Sequence, residues 1–120
     1  MDDLSAAAGL AALGHEARLA LFRLLVRAGA PGLSVSDLRD RLDLPASTLA
    51  HHLSALVAAG LVRQEKAGRQ VLNRADFARM RALLSYVDAE CCLGFAEDPR
   101  GATDPDLDSI PVSSVEGASA

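Results

Sequence analysis

Aromatic residues are scarce in this chain: 120 residues include no Trp, one Tyr and three Phe. Leu and Ala dominate instead, a composition that suits packed helices and argues against a sheet-rich sandwich. Cysteines number only two, which predicts ligands or free thiols rather than a structural bridge. No apolar run is long enough to span a bilayer, because His15, Glu16, Arg18 and Arg23 interrupt the richest stretch. No basic leader is expected, since the start MDDLSAAAGLAALGHEARLALF is acidic at its head. A cytoplasmic protein without membrane contact is expected. Net positive charge is lacking too, at −4 overall, but the charge is uneven. Residues 1–86 carry 11 Lys/Arg against 8 Asp/Glu, whereas residues 87–120 carry Arg100 against 8 acids. The body is therefore mildly basic, and a dimer would double its positive face.

What is present is a succession of short helices. Residues 4–13 read as an Ala/Leu helix broken at Gly14. A strong amphipathic helix follows over 16–28, with Leu19, Phe22 and Val26 on one face and Leu21 and Leu25 beside it. Ser34 or Ser36 is expected to cap a third helix reaching about Leu42. Pro45 opens a fourth, Pro45–Ala59, which Gly60 ends. Residues 61–66 and 70–74 read as strands of a hairpin turning at Ala67-Gly68. Asp76 starts a last helix with Phe77, Met80, Leu83, Leu84 and Val87 on its apolar side, expected to reach the cysteines and stop by Gly94. These elements predict one domain over 1–96, mainly α with a small β-hairpin: a winged helix-turn-helix. Residues 97–120, acidic and rich in Pro, Gly and Ser, predict a disordered tail.

The fourth helix carries the functional reading. At roughly 100° per residue, Leu49, Leu53, Leu56 and Val57 cluster on one side. Ser47, Thr48, His51 and Ser54 fall on the other side or its edge, where a recognition helix meets base edges and phosphates. His52 lies nearer the apolar side and reads as a boundary packing residue. Arg63, Lys66 and Arg69 make the hairpin basic, which suits phosphate or minor-groove contact with double-stranded DNA. No nucleotide-binding loop, catalytic triad or acid/base pair stands out, so an enzyme is not expected.

The segments LGHEARLALFRLL and LPASTLAHHLSALVAAGLVRQEKAGRQ, with the closing helix, resemble the ArsR family of metal-responsive repressors over about residues 10–94. The resemblance implies a homodimer held by the first and last helices. It implies two recognition helices in successive major grooves of an operator, released by an inducer. Ala50 departs from the family, where many relatives carry Ser, and this puts one DNA contact in doubt.

Glu90-Cys91-Cys92 is the other informative feature. Vicinal thiols suit a soft, thiophilic ion. Adjacent residues on a regular helix diverge, so joint ligation calls for an unwound last turn, which Gly94 would allow. Asp88, Glu90 and the negative helix end disfavour free thiolates, which weakens a peroxide-sensor reading. Some relatives hold arsenic at a CVC site in the third helix, but Ser34 and Ser36 replace those cysteines here. Others carry an ECC motif in the last helix, as here, usually with a third cysteine that this sequence lacks. The resemblance therefore implies a trivalent arsenic inducer at Cys91 and Cys92. A methylated or aryl organoarsenical, needing only two thiolates, is favoured. Antimony, or an inorganic site completed by a small thiol or the partner's cysteine, is an alternative. So is a winged-helix regulator whose cysteines only pack or sense redox state. A third reading is a protein-interaction module that uses the scaffold without DNA.

Overall fold

A computed structural model describes residues 1–95, so the acidic segment 97–120 lies outside the described residues. Met1–Val87 forms one compact unit, and a second begins at Asp88. The first unit holds five helices and three strands: α1 (Asp3–Leu13), α2 (Glu16–Ala28), β1 (Leu33–Ser34), α3 (Val35–Leu42), α4 (Ala46–Ala58), β2 (Val62–Ala67), β3 (Gln70–Ala75) and α5 (Phe77–Asp88), whose last residue opens the second unit. This is a winged helix-turn-helix, as the sequence predicts, with one addition. The two-residue strand β1 pairs with β3 to give an antiparallel sheet in the order β1-β3-β2.

Local chemistry sets the ends of these elements. Asp2 caps α1 by accepting from the Ser5 N–H at 2.8 Å. Ser34, not Ser36, caps α3: its hydroxyl accepts from the Asp37 N–H while the Asp37 carboxylate accepts from the Ser34 N–H, a reciprocal capping box. Asp43, left-handed at φ 51°, turns the chain out of α3. Pro45 stands one position before the first helical residue of α4 rather than inside it, with no side-chain cap. At the other end, Gly60 at φ 78° lets the Leu61 N–H reach the Leu56 carbonyl and the Gly60 N–H reach Val57, a Schellman stop.

The core joins Leu21, Phe22 and Leu25 of α2, Leu38 of α3, and Leu49, Leu53 and Leu56 of α4, with Leu61 and Leu83. Four side chains depart from the periodicity reading, Leu84 and Val87 of α5 among them, each 59% exposed. Leu19 is 43% exposed and Val57 36% exposed, because the buried stripe of each helix is narrower than its apolar content suggests. Small residues line the inner face of α1 at Ala6, Gly9 and Ala12, and a Cβ on Gly9 would meet Leu83 of α5 at 3.0 Å. The hairpin turns at Gly68-Arg69 rather than Ala67-Gly68. Gly68 alone of the two has positive φ, at 63°, which a two-residue II′ turn needs at its first position.

Asn73, fully buried, fastens β1 to the hairpin. Its Nδ2 donates to the Leu33 carbonyl at 3.1 Å and its Oδ1 accepts from Gln64 at 2.9 Å. Gly32 leads into β1 at φ 70°, and a Cβ there would stand 2.6 Å from the Asn73 carbonyl oxygen. Gly32→Ala should therefore cost about 2–4 kcal/mol of unfolding free energy, from left-handed strain plus overlap. Gly68→Ala, with nothing within 4 Å, should cost about 1–2 kcal/mol from strain alone. Paired urea melts check the difference, and equal losses would contradict the packing described.

Candidate nucleic-acid interface and thiol pair

The core stripe of α4 leaves its opposite face outward. Ser47, His51 and Ser54 are exposed and Thr48 is half-buried. Ala50 is exposed on this face too, contributing only a methyl group. Because Pro45 provides no side-chain cap, the first-turn N–H groups of α4 have no cap acceptor. His52 is buried at 6% exposure, deeper than a boundary position, and Leu49, Leu53 and Leu56 share its side.

Lys66 and Arg69 are exposed, with Arg69 in the turn of the wing. Arg63 is placed differently. It sits near the base of β2, opposite Arg74, and its Nε donates to the Asp76 carboxylate at 3.0 Å with the guanidinium side chain 80% exposed. An exposed pair of this kind holds little energy, so Arg63 remains able to exchange partners. The other Asp76 oxygen accepts from the Arg79 N–H at 2.9 Å and caps α5. Glu65 pairs with Arg74 on the wing. The basic candidates therefore divide between the wing tip and its foot.

The second unit contains the thiol pair. Helix α5 stops at Asp88, before the cysteines, and does not reach them as the sequence reading expects. Glu90 at φ 62°, Cys92 at φ 64° and Gly94 at φ 76° cannot continue a right-handed helix. Short turns replace it, with the Cys91 N–H donating to Asp88 and the Leu93 N–H to Glu90. This unwinding removes the divergence that a helix would impose on adjacent side chains. The Cys91 and Cys92 sulfurs are 3.3 Å apart, unbonded and exposed. Sharing a proton with Cys92 holds the Cys91 thiol above its ordinary pKa, and the Cys92 charge, slight desolvation and Asp88 push the same way. Among the described residues no group of three or more His, Cys, Asp or Glu is arranged to hold a metal ion. No helix among the described residues is long and apolar enough to cross a membrane.

One pairing has no signal in the sequence: His15, the N-cap of α2, whose Nδ1 accepts from the Ala17 N–H at 3.2 Å, lies beside His52. Their separation along the chain hides it.

The raised Cys91 pKa gives a direct expectation. A higher pKa means less thiolate at neutral pH, so iodoacetamide should label Cys91 slowly at pH 7 and faster as pH rises past the usual thiol range. Cys92→Ser removes the leading cause and should shift the Cys91 midpoint down. Mass-resolved alkylation across pH checks both, and an unshifted midpoint would contradict the coupling.

A helix-turn-helix domain family matches residues 13–65. No curated protein matches the chain. Among solved structures, an ArsR-like transcriptional regulator from Rhodococcus sp. RHA1 is 33% identical, at TM-score 0.64, over 71% of this chain and 77% of that one. A structure described as a possible transcriptional regulator for arsenical resistance is 30% identical, at TM-score 0.55, over 67% and 83%. A homodimeric winged helix-turn-helix DNA-binding domain from Mycobacterium bovis is 27% identical, at TM-score 0.57, over 72% and 80%. The fold, the placement of α4 and these likenesses agree: the chain belongs to the ArsR family of transcriptional regulators.

Proposed function

We propose that this regulator is a homodimeric repressor that holds operator DNA through α4 and the wing and releases it when a trivalent arsenical joins Cys91 to Cys92. The observation that carries the inducer is the sulfur pair: two exposed thiols 3.3 Å apart, on backbone already unwound for joint ligation. A methyl- or aryl-arsenous acid brings one carbon and two oxygens on arsenic. Two As–S bonds form, two As–O bonds break, and the thiol protons leave in two waters. The raised Cys91 pKa does not block this, because the protons are taken up by the leaving oxygens. Inorganic arsenite or antimonite has a third position to fill, from a small thiol or the partner's cysteine. The likeness to a protein described for arsenical resistance supports the same inducer class.

On DNA, Ser47, Thr48, His51 and Ser54 face base edges and phosphates, and the uncapped start of α4 offers N–H groups to an anion. Lys66 and Arg69 take backbone phosphates, with Arg63 joining them on release from Asp76. Dimerisation draws support from leucines left in solvent on two helices of the first unit, Leu4 at 81% exposure on α1 and Leu84 at 59% on α5. It draws support also from the homodimeric M. bovis relative. The cysteines follow α5 within four residues, so capture would bend the chain just beyond a dimerisation helix.

Two variants separate grip from sensing. Lys66→Ala/Arg69→Ala should weaken duplex binding across sequences and flatten the salt dependence by about one unit of slope per lost contact. Cys91→Ser and Cys92→Ser should bind duplex normally yet ignore a methylated trivalent arsenical in fluorescence anisotropy. An arsenical response retained by the double variant would reject the pair as the sensor, and salt-independent duplex binding would reject the grip.

A further inference from the structure

Four basic or protonatable side chains meet where α2 packs on α4. The His15 and His52 rings are 4.9 Å apart between centroids, and those of His51 and His52 5.9 Å. His52 is 94% buried, the complement of its 6% exposure. Its Nδ1 and the Nε of Arg18 are buried and have no hydrogen-bond partner among the described residues. A guanidinium N–H can only donate, so the missing element is an acceptor. The charged groups acting on His52 are His15 and Arg18 from α2 and His51 from its own helix, and none is a carboxylate. Helix α1 and strand β2 also pack on α4, but Asp3 of the one and Arg63, Glu65 and Lys66 of the other do not act on His52. The cluster is not sealed. His51 stands on the outward face of α4, and His15 is exposed. With the His15 Nδ1 occupied by the Ala17 N–H, its neutral ring carries the proton on Nε2, a ready donor.

We propose that this cluster is a phosphate site at the edge of the recognition helix: His15, Arg18 and His51 hold the phosphate, and His52, buried behind them, is a positioning residue that takes up a proton as the anion arrives. The proposal rests on the reading of α4 as a DNA-binding helix and extends its outward face, at His51, to His15 and Arg18 at the start of α2. Desolvation first, then the neighbouring His15, Arg18 and His51, holds the His52 pKa below its ordinary value in the free protein. A phosphate brings a negative charge that offsets the cationic neighbours and favours the protonated ring, so the pKa rises on binding. A group whose pKa is higher in the complex takes up protons on binding, and affinity therefore grows as pH falls. The site is selective for phosphate charge and indifferent to base sequence.

The test uses the full chain, a mixed-sequence DNA duplex and, separately, inorganic phosphate. Wild-type protein should bind the duplex severalfold tighter at pH 6 than at pH 8. Arg18→Gln, folded by its melting curve, should lose most of that gain and show a log–log salt slope shallower by about one. His15→Ser keeps a cap on α2 and should give a smaller loss in the same direction. Inorganic phosphate should shift the His51 and His52 ring resonances of wild type and leave those of Arg18→Gln in place. If both variants keep the wild-type slope and pH dependence, the proposal is overturned. If wild type ignores the duplex but its histidines respond to inorganic phosphate, the site stands as one for free phosphate and the DNA reading falls. If they respond to neither, both fall.

Discussion

The leucine seam between α2 and α4 holds the architecture. Leu21 and Leu25 from one helix, and Leu49, Leu53 and Leu56 from the other, are at most 3% exposed. Burying one face of α4 so completely fixes its rotation, and rotation decides which side chains reach solvent. Ser47, His51 and Ser54 face outward because the leucines at 49, 53 and 56 cannot. Any shift of α4 along this seam would uncover leucines and bury serines, so the outward face is set by core packing.

Much of this was visible in the residues themselves. The buried residues of α4 repeat at helical spacing, its exit glycine is a standard stop, and the basic hairpin follows at once. Those cues are local, and local cues survive into the fold. Strand β1 was not foreseen, because two residues have no periodicity and their pairing with β3 is made by Asn73, some forty positions away. The meeting of His15 with His52 was hidden for the same reason. The last helix stops short of the cysteines because left-handed backbone at Glu90 and Cys92 ends it, and neither residue type announces such a conformation as glycine does. The sequence reading placed the thiols on a terminus that must open to be useful, and that opening is already present.

Two kinds of site thus lie on one short chain. The proposed reading surface lies on a helix whose opposite face is held by packing. The thiol pair lies on irregular backbone, where local rearrangement involves little buried surface. The proposed regulation uses that contrast: a grip whose geometry is fixed by packing, and a segment whose conformation an inducer would reset. Proton uptake at the histidine cluster would add a second input, acting on the grip itself rather than on the sensor.

Coupling between the two is the central claim, and one titration measures it most directly. Duplex-bound protein receives a methylated trivalent arsenical to one equivalent per chain while thiol occupancy and DNA anisotropy are read from the same sample. The account predicts that affinity for the duplex falls as occupancy rises, by about 5- to 150-fold at saturation. Full occupancy of Cys91 and Cys92 with the duplex still bound at its original affinity would contradict it.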